Sequence, residues 1–179
     1  LTAIPFPRDG LRVDELLLRP PTVADVPAIA PAFLDDAVGG EAGLPKLTEP
    51  EICAFMTEQM PELQTSGRLF PLVIVDGDAI VGGASLNNYE PFRDRVEVGY
   101  WLYPQGRGRG IATRVARAIA EHAFHVGLLR VEAVVRPANE PSIRVLERAG
   151  FIREGVLRSL LRHGDGRADA ILFSLLPGE

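Results

Sequence analysis

Between a strand-like run, Val96-Glu97-Val98-Gly99-Tyr100-Trp101-Leu102, and a helix-like run from Ile111 to about Val126 lies the segment Gln105-Gly106-Arg107-Gly108-Arg109-Gly110-Ile111-Ala112. Three alternate glycines at such a junction give a backbone that can approach a ligand closely and aim several N–H groups at it. The helix behind them adds unpaired donors and the positive end of its dipole. This is a cradle for an anion, most suited to a phosphate or pyrophosphate, and Arg107 and Arg109 could add charge-assisted bonds to it. On the preceding strand, Glu97 lies two and four residues before Gly99 and Trp101, so all three share a face. A carboxylate on an otherwise apolar strand is costly to bury without a partner or a purpose. In a partly dry cleft its pKa rises, which suits accepting a proton through water. The alternative is a surface-facing Glu97 paired with Arg93 or Arg95, since glutamates are mostly exposed.

A dinucleotide fingerprint requires G-x-G-x-x-G in a first βαβ unit, whereas here the spacing is G-x-G-x-G past the middle of the chain. A P-loop requires a Gly-Lys-Ser/Thr ending, and the segment has no lysine. Taken alone, the glycines also fit a Gly-rich turn with a solvated arginine pair. Gln105, Gly108 and Gly110 occupy the defining positions of Q/R-x-x-G-x-G/A, and the segment resembles the coenzyme A pyrophosphate loop of the GNAT superfamily of N-acetyltransferases. Downstream, Leu128 to Val135 reads as a strand, followed by Asn139-Glu140-Pro141-Ser142, Ile143 to Ala149 and Gly150-Phe151. This is similar to the N-x-x-S/A, helix, G-F succession of the same superfamily. The N-terminal Leu18-Arg19-Pro20-Pro21-Thr22-Val23-Ala24-Asp25 and the closing Asp169 to Leu176 resemble the RimJ/RimL type, which acetylates ribosomal-protein N-termini. The likeness covers roughly residues 11–177.

That resemblance implies an α+β fold with a central mixed, mostly antiparallel sheet of about seven strands, splayed between the fourth and fifth and flanked by about four helices. Acetyl-CoA would lie in the split as acetyl donor, with no metal. The loop Gln105, Gly106, Arg107, Gly108, Arg109, Gly110, Ile111 and Ala112 would hold its pyrophosphate. Backbone groups of Trp101 and Leu102 would meet the pantetheine arm, and one such N–H would serve as oxyanion donor. Asn139 and Ser142 match residues beside the pantetheine and thiol. Many members carry a Tyr on the short helix as the thiolate's proton donor. Here Leu146 fills that place, and the acid role passes to Ser142, which could equally be a helix-start serine. Glu97 is the candidate base.

The elements that must position these groups can be read along the chain. Residues 1–10, with Pro5 and Pro7, suggest an extended arm, and 11–179 a single domain, for which 179 residues are ample. Val13 to Arg19 reads as a first strand. Thr22-x-x-Asp25 is an N-cap signal before a helix over about 23–35, and a second helix spans about 51–66, shortened or kinked by Pro61. Leu69 to Val75 and Ala79 to Leu86 flank Asp76-Gly77-Asp78 as a hairpin. The helix after the glycines carries Ile111, Val115, Ile119 and Ala123 in one row and Ala112, Ala116, Ala120 and Phe124 in the next, with Gly127 closing it. A short helix over about 141–148 ends at Gly150. Val156–Arg162 and Ala168–Leu175 form a last hairpin through residues 163–167. Mixed strand types point to α+β rather than a regular doubly wound fold.

A net charge of −5 gives no drive toward nucleic acid, so the Arg-Gly-Arg-Gly run is not an RNA-binding tail. The single cysteine, Cys53, excludes an intramolecular disulfide and reads as a buried structural thiol. No apolar run approaches a membrane span and no signal-peptide pattern opens the chain, which favours a cytoplasmic location. His122 and His125 lack a third ligand and do not make a metal site; His163 reads as a turn residue. The leading expectation is transfer of acetyl from acetyl-CoA to a primary amine, with a protein or peptide N-terminus favoured as acceptor and a homodimer left open. Its rivals are a catalytically silent acyl-CoA-binding module, an enzyme for a small-molecule amine such as an antibiotic or polyamine, and a protein cradling another phosphate. Asp35, Asp36, Glu41, Glu90 and Asp94 could attract a cationic amine.

Overall fold

A computed structural model describes residues 4–7, 9–40, 42–163 and 166–179; residues 1–3 and Arg8 of the expected arm, Glu41, the hairpin tip 164–165 and the His163 side chain lie outside it. Eight strands form one sheet in the order β1-β2-β3-β4-β5-β6-β8-β7. They are β1 (Leu11–Val13), β2 (Leu16–Arg19), β3 (Leu69–Asp76), β4 (Ala79–Glu90), β5 (Arg95–Leu102), β6 (Arg130–Val135), β7 (Ile152–His163) and β8 (Gly166–Leu175). Every pairing is antiparallel except β5 with β6. Helices α1 (Val26–Leu34), α2 (Glu49–Ala54), α3 (Met60–Thr65), α4 (Ile111–His125) and α5 (Glu140–Arg148) flank it.

The expected first strand is a hairpin, which raises the strand number from seven to eight. Asp14 takes the left-handed conformation (φ 54°), which Asp tolerates better than most residues, and Leu11 pairs back on Leu18. Two adjacent carboxylates, Asp14 and Glu15, make that turn, and Arg114 of α4 bonds both, at 2.8 and 2.9 Å. The second expected helix starts earlier than expected, at Glu49. Thr48 and Glu51 form a capping box (Thr48 N and Oγ1 to Glu51 Oε2, 2.8 and 2.6 Å), and Pro50 is harmless in the first turn. It is also broken in the middle: Pro61 has no N–H to give to the preceding turn, and a wide π-type turn over Phe55–Gln59 separates α2 from α3.

The sheet divides two cores. On one face α4 buries Ile111, Ala112, Val115, Ala116, Ile119, Ala120 and Ala123, the two rows legible at helical spacing, against Val96 and Val98 of β5 and Val131 and Ala133 of β6. Small residues in those rows let the helix lie close to the strands. On the opposite face α1 and α2 bring Val26, Ile29, Ala30 and Ile52 onto Val73, with Phe33, Cys53, Met56 and Trp101 packed around them. Ile4 is buried in the first core, and Phe6 stacks between Phe70 and His122 with centroids 5.2 and 5.0 Å away.

The entrance to α1 rests on one carboxylate. Asp25 takes two bonds from the Arg19 guanidinium (2.7 and 2.8 Å) and two from Thr22 N and Oγ1 (2.7 and 2.9 Å). The Arg19 bonds, aided by those of Thr22 against the opposing effect of burial, hold its carboxyl down at about 2. Because the folded-state value is depressed, this stabilisation is complete above about pH 4, the ordinary carboxylate range, and is lost as pH falls through 2. Asp25→Ala is expected to lower stability at neutral pH by about 2 kcal/mol, the scale of charge-assisted bonds to a nearly buried group. Asp25→Asn should flatten the acid limb of a denaturant-midpoint profile between those two pH values; a limb as steep as wild type would remove Asp25 from that role.

Candidate active site

The glycine segment folds as a short 3₁₀ turn, Pro104–Gly106, leading through Gly108 (φ 74°) and Gly110 (φ 72°) into α4. Both of these glycines hold left-handed backbone that other residues adopt at a cost. A Cβ on either would meet no atom within 4 Å, so the space in front of them is open rather than filled by protein. Gly106 differs: a Cβ there would stand 3.0 Å from the Val81 carbonyl, so it serves close packing on β4. Gly110 caps α4 with no side-chain cap, and the first N–H groups of this 15-residue helix have no partner within it. They face a cavity of about 460 Å³, lined by Leu102, Gly106, Arg107, Gly108, Gly110, Ile111 and Ala112 on one side and Asn139, Ser142 and Val145 on the other. This donor set fits the pyrophosphate of a coenzyme.

The two arginines of the segment have other partners in this structure. Arg107 donates from Nε to the Leu102 carbonyl (3.1 Å) and from Nη2 to the Ala37 carbonyl (3.0 Å), so it ties the loop to the turn after α1. Arg109 pairs with Asp76 at 2.7 Å, and neither it nor Gln105 lines the cavity. Ala37 and Val38, which do line it, come from the turn over Asp36–Gly40 that follows α1.

The cavity exists because β5 and β6 part. They pair over Arg95↔Arg130, Val96↔Val131 and Glu97↔Glu132 only, after which β6 stays with β8 while β5 stays with β4. At the point of parting sits a chain of charges. Arg95 bridges Glu90 and Glu132; Arg130 bridges Glu132 (2.6 Å) and Glu154 (2.9 Å); and the Ser174 hydroxyl donates to Glu154 at 2.7 Å. Tyr103 N bonds the Val81 carbonyl, so by antiparallel alternation the odd-numbered groups of β5 serve β4. Val98 N is used by the last β5–β6 pairing, at Glu97↔Glu132, so the Val98 carbonyl and the backbone groups of Tyr100 and Leu102 face the opening, and those of Trp101 do not. The Trp101 indole instead lies over Gly83, where a Cβ would come within 2.5 Å of Nε1, and meets Tyr103 edge-on at 5.1 Å.

Across β5 a second cavity of about 370 Å³ opens toward α1, α2 and the π-type turn. Glu97 lines it, on the same face as its cross-strand partner Asn87 and the pair Ser85↔Gly99. Asn87 Nδ2 donates to Ser85 Oγ at 3.0 Å. Burial pushes the Glu97 carboxyl above its ordinary range, only partly countered by the Asn88 amide at 3.2 Å and the charge of Arg95. Arg93 and Arg95 make their ion pairs elsewhere, with Glu90 and Glu132.

Ala42, Tyr100, Trp101, Asn139 and Ser142 line both cavities, and they mark where the two meet. Asn139 caps α5, its Oδ1 accepting from Ser142 N at 3.1 Å, while the Ser142 hydroxyl has no hydrogen bond among the described residues. Tyr100 donates its hydroxyl to the Ser142 carbonyl at 3.2 Å, and burial pushes its pKa up to about 12, so it stays neutral. Leu146, where a Tyr was absent by resemblance, is a fully buried core residue of α5. Tyr100, Ser85 and Asn87 were not singled out in sequence. Gly83-Ala84-Ser85-Leu86-Asn87 does carry a signal, small or polar residues alternating with apolar ones at strand period.

A split mixed sheet with a glycine cradle on one side of the split and a carboxylate-bearing cavity on the other defines a coenzyme A-dependent acyltransferase. The family model for the acetyltransferase (GNAT) domain matches residues 15–152, and the chain belongs to that family. It is similar along most of its length to the uncharacterized N-acetyltransferase p20 of Bacillus licheniformis, 27% identical over 174 residues, 96% of this chain and 98% of the relative. The ribosomal-protein-serine acetyltransferase of Escherichia coli (strain K12) is 33% identical over 103 residues, 57% of this chain and 58% of its own. Mycobacterium smegmatis RimJ, solved in complex with CoA-disulfide, matches with a TM-score of 0.77 at 28% identity, covering 95% of this chain and 84% of that one. The RimJ/RimL likeness read from the sequence holds, as do the enzyme class and acetyl-CoA as donor.

Because open space faces Gly108 and Gly110, a side chain there would fill the cradle rather than disturb the core. Gly108→Val and Gly110→Val are each expected to abolish coenzyme A binding by calorimetry. The left-handed backbone should cost them only about 1–2 kcal/mol of stability. A folded variant that binds coenzyme A like wild type would displace the site from this loop.

Proposed function

We propose that the chain transfers acetyl from acetyl-CoA directly to a primary amine within a ternary complex, the α-amine of a peptide or protein N-terminus being the favoured acceptor class, in the cytoplasm. The single observation that carries this reading is the meeting of the two cavities at Tyr100, Asn139 and Ser142, with the cradle on one side and Glu97 on the other. The relatives support a protein acceptor, since one is named for ribosomal-protein serine and another is RimJ.

Acetyl-CoA supplies the acetyl group as an activated thioester. Glu97 accepts the proton that the amine gives up as it forms the new C–N bond, through an intervening water. Cleft-facing N–H groups of Tyr100 and Leu102 are the available donors for the tetrahedral oxyanion. Ser142 passes a proton to the sulfur as the C–S bond breaks and regains one from solvent. Tyr100 and Asn139 hold the start of α5 so that the Ser142 hydroxyl stays at the junction. A protein that only binds acyl-CoA would have no need of a desolvated carboxylate on the far side of β5.

Two substitutions test this assignment. Glu97→Gln keeps shape and removes basicity. Its rate should fall about 100-fold near neutral pH and recover partly at high pH, where more amine is already neutral. Since burial raises the Glu97 carboxyl, ionising it costs stability in the folded state once pH exceeds its ordinary range, so the variant should melt no lower than wild type. A lower melting temperature with unchanged kcat would make Glu97 structural. Ser142→Ala should lower kcat by about 100-fold or more while barely moving KM for acetyl-CoA. An unchanged kcat across the pH range would take Ser142 out of proton transfer.

A further inference from the structure

We infer that the acceptor's α-amine sits beside a bulky apolar side chain, as in leucine, methionine or phenylalanine, rather than beside a small polar one. This rests on the acetyltransferase reading above and concerns the same site. The cavity on the acceptor side is walled by Ile29 and Phe33 of α1, Ile52 of α2, Phe55 and Met56 of the π-type turn, and Val73 of β3. Its apolar walls gain little from a serine or alanine side chain and much from one that fills them, because the gain scales with the apolar area withdrawn from water.

Polar groups lie on one stripe of the floor, Ser85, Asn87 and Glu97, beside Gly99. A Cβ at Gly99 would stand 3.0 Å from Ser85 Oγ and 3.4 Å from Asn87 Nδ2, so this glycine keeps the stripe open. An amine held at that stripe places the carbon that bears it against the apolar walls.

Charge narrows the class further. Among the described lining residues Glu97 is the sole carboxylate, and the other charged groups are the guanidiniums of Arg136 and Arg162. Of the acidic loop residues expected to draw in a cationic acceptor, Asp35, Asp36, Glu90 and Asp94 do not line the cavity, and Glu41 lies outside the described residues. Asp36 pairs with Lys46 at 2.7 Å, Glu90 is held by Arg93 and Arg95, Asp35 Oδ1 accepts from Ala37 N at 2.7 Å, and Asp94 sits in an exposed left-handed turn. A polyamine or aminoglycoside brings several ammonium groups and would find one carboxylate among the described lining residues. A compact monoamine with an apolar body has no such conflict. Two sources present that chemistry: a free hydrophobic amino acid, whose carboxylate Arg162 at the exposed rim can meet, or a peptide with such a residue first.

The test is a matched acceptor panel with acetyl-CoA, read by thiol release and product mass. Leu, Met and Phe are offered as free acids and as first residues of otherwise identical tripeptides, against Ala and Ser in both frames and spermidine. The apolar acceptors should exceed their Ala and Ser counterparts in kcat/KM by at least about tenfold, the least that one added methylene commonly gives in an apolar pocket. Equal or better use of Ser, Ala or spermidine overturns the inference. Met56→Trp, which narrows the cavity from a half-buried wall, should cost apolar acceptors at least about tenfold more than Ala and Ser; a uniform loss across the panel overturns the pocket assignment. Arg162→Gln separates the sources, weakening free acids alone if they are the substrate. Should no amine be acetylated, calorimetry on the coenzyme A complex still decides. Selective binding of apolar amines keeps the acceptor class and removes the transfer reading, and indifference overturns both.

Discussion

Two parallel strands that agree for three residue pairs and then diverge are the constraint on which everything else in this protein depends. Divergence would ordinarily leave a ladder of unpaired backbone groups inside the molecule, which is expensive. It is tolerated because β5 and β6 each keep an antiparallel partner on their outer side, and because the point of parting is held by charge. Arg95 and Arg130 alternate there with Glu90, Glu132 and Glu154, so that Glu132, nearly buried, has two guanidiniums. Breaking one member of such a chain would leave a charge without compensation in a dry place, so the register of the last paired residues is well defined. From that register follows which backbone groups of β5 face the opening.

The same strand separates two chemistries. Its even-numbered side chains, Val96 and Val98, belong to the core under α4, whereas Glu97 and Trp101 belong to the face under α1 and α2. The coenzyme side is built from backbone: positive-φ glycines, a helix terminus and strand N–H groups, all suited to a ligand common to many proteins. The acceptor side is built from side chains, which can vary without disturbing the cradle. Tyr100 joins the two, since its hydroxyl reaches the Ser142 carbonyl and fastens the start of α5 to the edge of the opening. Arg107 does a similar service between the cradle and the turn at Ala37, so the glycine loop is tied to the segment that follows α1.

Much of this was legible in the order of residues. The apolar rows of α4, the Asp-Gly hairpin, the capping signal at Thr22, the glycines and the Asn139 to Phe151 succession are local patterns whose periods and turn preferences act through the backbone alone. Their order along the chain carried the fold and the donor. Where local reading erred, the cause was also physical. The pair Asp14-Glu15 ends one strand and starts another because Asp14 tolerates left-handed backbone.

What only the tertiary structure decided are the pairings between residues far apart in sequence. Nothing local says that Arg109 spends its charge on Asp76, that Arg107 reaches Ala37, or that Arg95 prefers Glu90 and Glu132 to Glu97. Nothing local says that Asp36 and Glu90 are neutralised by cations, with Glu97 the carboxylate among the described residues that line the second cavity. The reason is that backbone geometry is set by nearest neighbours along the chain, whereas the partner of a charge and the shape of a cavity are set by neighbours in space. The sequence by itself determined a split-sheet acetyltransferase with a glycine segment opening α4; the packing of α1, α2 and the π-type turn over β5 decided the shape and lining of the second cavity.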